Sequence, residues 1–123
     1  MIEDIKKILN IETDVNRLVI SNGLKKHLIK HNHRNVLKYY DNIENIINNP
    51  DYIGKNPNEK EVSFECVKIL DDNLLVAVKL DKKRSYFYVA SFYEITESKL
   101  KSMLKSGRLK KFVLTKGELE DII

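Results

Sequence analysis

All three histidines of the 123-residue chain fall in one stretch, His27-Leu-Ile-Lys-His31-Asn-His33. His27 and His31 stand four apart, a spacing that stacks them on one face of a helix. Three chemistries fit. A histidine pair one turn apart suits zinc, but the HExxH glutamate is missing between them, and a third ligand would have to be His33, Cys66 or a distant carboxylate. In general acid–base catalysis, histidine titrates near neutrality, and Lys25, Lys26, Lys30 and Arg34 favour its neutral, base-competent form. The histidines could also simply contact phosphate. Against all three stands an ordinary structural role, with His27 hydrogen-bonded at the core edge and His31 and His33 exposed.

The histidines lie in a cationic segment. From Val15 to Tyr40 there is no acid, whereas Arg17, Lys25, Lys26, Lys30, Arg34 and Lys38 are all present. Residues 41–72 are acidic, and Lys99 to Lys116 is again basic, with Lys101, Lys105, Arg108, Lys110 and Lys111. Such blocks fit a polyanion partner better than the net charge of +4 suggests. A histidine among cations is what RNA cleavage without a metal requires. A base takes the ribose 2′-hydroxyl proton, the oxygen attacks phosphorus, an acid protonates the leaving oxygen, and cations stabilise the charge in between. DNA lacks that hydroxyl.

Other positions carry weaker signals. Strict alternation puts Ser91 and Tyr93 on the strand face of Phe87 and Val89. Lys79 points opposite to Val76, Val78 and Leu80. Tyr86 and Tyr88 suit base stacking or plain packing. Cys66 reads as a buried, inert thiol and excludes a disulfide framework. Gly23, Gly54, Gly107 and Gly117 are too scattered for a phosphate loop.

The elements that must position these residues follow from periodicity. Ile2, Ile5, Ile8 and Leu9 predict a short amphipathic helix. Arg17 to Ile20 reads as a short strand. Ser21 caps a helix to about Asn32 with Leu24, Leu28 and Ile29 inward. Val36 to Ile47 continues in two helical pieces broken near Asp41-Asn42, stopped by Asn48-Asn49-Pro50-Asp51. Residues 51–58 read as loop. Val62–Leu70, Leu74–Leu80 and Tyr86–Ile95 form an antiparallel meander. Thr96 caps a helix ended by Gly107. Leu109–Leu114 is a last edge strand, and Glu118–Ile123 a fraying tail. The expected fold class is α+β, N-terminal helices (about 1–50) on an antiparallel meander of about four strands (about 51–114), within one domain spanning 1–123. No apolar run reaches the ~18–20 residues of a membrane span. The acids in MIEDIKKILN speak against a signal peptide, so the expected location is cytoplasmic.

Together, Gly23-Leu-Lys-Lys-His27, Leu37-Lys-Tyr-Tyr-Asp-Asn-Ile, Asn49-Pro-Asp51-Tyr-Ile-Gly54, Asp72-Asn-Leu-Leu-Val, Ser91-Phe-Tyr93 and Ser106-Gly-Arg108 resemble, in this order, the phage-associated nuclease domains grouped with barnase, EndoU, colicin and RelE-like toxins (PBECR). The likeness covers about residues 17–111. It implies the BECR fold of helices on an antiparallel sheet and RNA cleavage without a cofactor or metal, in toxin or prophage settings, with tRNA a candidate substrate. By position it implies that His27 is the early-helix histidine and that Ser91 and Tyr93 are the late-strand hydroxyl and tyrosine. Family members commonly carry Arg-His in the turn after that histidine, where this chain has His31-Asn-His33-Arg34.

The expected function is thus a metal-independent endoribonuclease with His27, His31, Ser91 and Tyr93 catalytic. Lys30, His33, Arg34, Lys79 and Arg108 would bind RNA phosphate. An acidic immunity protein or antitoxin is the expected protein partner. The alternative is a nucleic-acid-binding or phage accessory module without catalysis.

Overall fold

The computed structural model describes residues 2–31 and 34–113, with Arg34 described by its backbone alone. In chain order the elements are α1 (Ile2–Ile8), β1 (Leu18–Val19), α2 (Asn22–Lys30), α3 (Arg34–Leu37), a 3-10 turn (Tyr40–Asn42), α4 (Ile43–Asn48), β2 (Tyr52–Gly54), β3 (Ser63–Ile69), β4 (Asn73–Asp81), β5 (Tyr86–Glu94), α5 (Glu97–Lys105) and β6 (Leu109–Lys111). The α+β class is as expected, but the sheet is larger. It has six strands in the order β1-β5-β4-β3-β2-β6, mixed because β1 runs parallel to β5. Residues 52–54, expected as loop, pair on both sides, with β3 and with β6. Such a three-residue strand is too short to show alternation.

The two faces of the sheet have different covers. Ile53, Phe64, Cys66, Leu74, Val76, Val78, Phe87, Val89 and Phe92 form one face, under Ile5 of α1, Leu24 and Leu28 of α2, Val36 of α3, and Ile43, Ile46 and Ile47 of α4. Phe64 and Phe87 meet edge-on, their ring centroids 5.5 Å apart, a contact worth about 0.5–1.5 kcal/mol beyond burial. Ile29, expected inward, is 50% exposed, because Leu24 and Leu28 already define the buried stripe of α2. On the other face, Leu100 and Met103 of α5 pack over Val67, Leu75 and Leu109. The Thr96 hydroxyl accepts from the Lys99 backbone N–H at 3.0 Å and fixes where α5 begins. Gly107, at φ +83°, ends the turn after it and directs the chain into β6.

A β-bulge in β5 sets which residues share a face. Val78 pairs with Val89 but Ala77 pairs with Ser91, so Ala90 is an extra residue in the ladder. The alternation therefore reverses, and Phe92 joins Phe87 and Val89 beneath the helices. Ser91 and Tyr93 turn to the other face, with Tyr86 and Tyr88. The expectation that Ser91 and Tyr93 share the face of Phe87 is corrected by this one insertion.

Candidate active site on the open sheet face

Beyond the reach of α5, the second face carries polar side chains. The ladder aligns Glu65 with Ala77 and Ser91, and Ser63 with Lys79 and Tyr88. Glu65 interrupts the apolar run of β3, and its side chain is 4% exposed. It is tolerated there because Arg108 reaches it from the far edge. Arg108 Nε donates to Glu65 Oε1 at 2.8 Å and Nη2 to Oε2 at 2.7 Å, a bidentate pair. This hydrogen bonding strengthens the hold of Arg108 on its proton, against the opposing effect of burial.

Gly54 makes the reach possible. A Cβ on it would lie 1.7 Å from the Arg108 carbonyl oxygen, so only glycine lets that backbone come so close to β2. Tyr93 is half-buried beside the pair. Its phenol is pushed up first by burial and then by the Glu65 charge, with Arg108 opposing, so it stays protonated as a donor. Lys79 points to this face, as its alternation predicts, and donates to Glu59 Oε2 at 2.9 Å. That bond raises the lysine and lowers the Glu59 carboxyl.

Of the residues expected to act together, Ser91, Tyr93, Lys79 and Arg108 therefore lie on one face. His27 and His31 do not join them by any hydrogen bond or ion pair among the described residues. Both are exposed on α2, their ring centroids 4.4 Å apart and the planes tilted at 47°. Lys30 is exposed beside them. His33 and the side chain of Arg34 lie outside the described residues, as do Leu114 and the tail 118–123. The parallel pairing Leu18–Phe87 and Val19–Tyr88 leads the chain towards the C-terminal half of β5, and α2 begins three residues beyond that register. Among the described residues no group of three or more His, Cys, Asp and Glu side chains could hold a metal, and no helix is long and apolar enough to cross a membrane.

Glu65 is the site residue that residue-type scanning missed. A lone acid between Phe64 and Cys66, inside the otherwise apolar stretch 64–67, was its available signal. Cys66, expected buried, is wholly so, and burial pushes its thiol far up, out of nucleophilic use.

Helices α1–α4 on one face of a mixed sheet, with α5 and a buried acid–arginine pair on the other, make an α+β domain. The chain belongs to the family PBECR3, phage-Barnase-EndoU-ColicinE5/D-RelE like nuclease3, whose model matches residues 1–102. The match spans Glu65, Lys79, Ser91 and Tyr93 and ends before Arg108. No curated protein and no solved structure matches the chain significantly.

Proposed function

We propose that this phage-associated nuclease-like domain is an endoribonuclease that works without a metal, with the open sheet face as its catalytic surface. The observation that carries this reading is the bidentate Glu65–Arg108 pair, buried yet flanked by Ser91, Tyr93 and Lys79. The Glu65 carboxylate takes the ribose 2′-hydroxyl proton, and the freed oxygen attacks the adjacent phosphorus. Among the described residues Arg108 Nη1 has no partner, so it can donate to a phosphoryl oxygen while Nε and Nη2 hold the base in position. Protonated Tyr93 and the Ser91 hydroxyl orient the same phosphate, and Lys79 holds the next one. Protonated Tyr93, on the same face as Glu65, gives the leaving 5′-oxygen its proton, while His27 and His31 on α2, over the opposite face, extend the phosphate-capture surface. Lys30, His33 and Arg34 add phosphate contacts at that end. The product is a 2′,3′-cyclic phosphate and a 5′-hydroxyl.

Such an enzyme calls for an inhibitor, and an acidic immunity protein or antitoxin complements a site built on Arg108 and Lys79. The test is total tRNA incubated with the protein in EDTA over a wide pH range, beside Glu65→Gln and His27→Ala. Cleavage by the wild type and not by Glu65→Gln is expected; intact RNA at every pH overturns the reading. One observation favours the alternative, a nucleic-acid-binding module: both Arg108 and Lys79 already hold carboxylates. That alternative requires salt-dependent binding without any cleavage.

A further inference from the structure

On the open face, β5 continues past Ser91 towards the β4–β5 hairpin through Tyr88 and then Tyr86. Both rings are partly exposed, and both lie beyond the part of this face that α5 covers. Among the described residues the Tyr88 hydroxyl makes no hydrogen bond, so no polar anchor within the fold accounts for it. Cations border the pair on three sides. Lys79 sits opposite Tyr88 in the ladder. Arg17, next to Tyr86 across the β1–β5 pairing, places its guanidinium 6.0 Å from the Tyr86 ring centroid. Arg84 Nη1 donates to the Tyr86 hydroxyl at 3.2 Å, and the turn it belongs to also carries Lys82 and Lys83, all exposed.

An aromatic row on an open strand, bordered by Lys and Arg, is the combination that seats single-stranded nucleic acid. Rings take the base faces, and cations take the backbone. We infer that Tyr86 and Tyr88 form a stacking track for two unpaired bases next to the cleaved bond, with Arg17, Lys82, Lys83 and Arg84 on their phosphates. The inference rests on reading this face as the cleavage surface. The two rings are two strand rises apart, roughly 6.8 Å, about twice the ~3.4 Å rise of one strand in a duplex. Adjacent bases can therefore occupy both rings only when they are unstacked from each other, so the track accepts loops and single strands and refuses a paired stem.

Binding, measured apart from cleavage, tests this. The probe is a 2′-O-methyl oligoribonucleotide, which lacks the attacking hydroxyl, offered to the full chain as a single strand and as a paired stem of the same sequence. The expected result is tighter binding of the single strand. Tyr88→Leu and Tyr86→Leu, which keep apolar volume on the strand, should each weaken it roughly 5- to 150-fold. Tyr88→Phe and Tyr86→Phe, which keep the ring, should stay within about twofold of wild type. Equal affinity of the Leu variants and wild type, or equal affinity for strand and stem, overturns the track. If the Leu variants lose binding while wild type leaves unmodified RNA intact, the track stands and the nuclease reading falls.

Discussion

The α2 surface and the open sheet face are both cationic, but they hold their charges differently. On α2, Lys25, Lys26, His27, Lys30 and His31 are all exposed, and among the described residues none is in an ion pair. Lys25 lies 5.4 Å from the Tyr40 centroid, and the two histidine rings meet at a tilt. On the sheet face Arg108 is paired to Glu65 and Lys79 to Glu59. Solvated charge attracts a polyanion from any direction and is screened within about 8–10 Å. A buried pair attracts less, but its donors are already oriented, and orientation is what lowers a barrier. In the proposed enzyme, capture falls chiefly to the helix and positioning to the strands.

The sharpest way to break that contrast is to unpair the buried site. Arg108→Met leaves the Glu65 carboxylate buried without a partner, and such breaks cost about 3–5 kcal/mol. Urea unfolding should show this loss, and the double variant Glu65→Leu with Arg108→Met should regain most of it, since the two positions are not additive. Glu65→Gln keeps the shape and removes the base. Its cleavage rate should fall about 100- to 10,000-fold. A wild-type rate in Glu65→Gln removes the chemistry from this face.

His27→Ala probes the other side of the comparison. The variant should raise KM several-fold with kcat little changed, as loss of a capture contact does. A fall of about 100-fold or more in kcat at unchanged KM would instead bring α2 into the chemistry.

How far these regions could be read from the residues differs for a physical reason. The helices, Thr96, Gly107 and the three long strands follow from local periodicity and capping, which depend on near neighbours in the chain. The α2 cluster is visible for the same reason, since helical spacing stacks His27 on His31. The sheet site depends on longer-range relations. Glu65 and Arg108 are 43 residues apart, and they meet because Gly54 admits the Arg108 backbone. Ser91 and Tyr93 reach their face because Ala90 is extra in the ladder, and strict alternation has no term for an insertion. The short β-branched run at Arg17–Ile20 marks β1, but β2 is too short for a period, and only its partners make it a strand.

An intermediate case lies between the two extremes. The Lys79–Glu59 pair is partly exposed, 34% and 23% by side chain, and Glu59 sits on the β2–β3 loop, tied to the sheet where the Leu80 N–H donates to the Val62 carbonyl at 2.9 Å. A phosphate on Lys79 must displace that carboxylate. Glu59→Gln should therefore tighten RNA binding several-fold at low salt, with the gain fading as salt rises. Lys79→Ala should lower the slope of log affinity against log salt by about one. Unchanged affinity in Glu59→Gln means that RNA bypasses Lys79.

The smallest effect belongs to the most exposed pair. Lys38 Nζ lies 3.6 Å from Asp72 Oδ2, with side chains 61% and 31% exposed, and the Tyr39 hydroxyl donates to that same oxygen at 2.8 Å. The Tyr39 hydrogen bond is the main reason the Asp72 carboxyl sits below its ordinary range, with Glu94 and then Lys38 adding lesser pulls against burial. A depressed carboxyl contributes stability above its unfolded value, about pH 3.9, and loses it as pH falls through the folded value. Tyr39→Phe should therefore shrink the stability that acidification removes, seen as a smaller drop in the urea midpoint between neutral pH and the acid side of that window. Lys38→Ala should leave the drop almost intact, because an exposed pair is weak and screened. Equal effects from the two variants would mean that charge outweighs hydrogen bonding even at the surface, and the grading of these pairs by burial would fail at its exposed end.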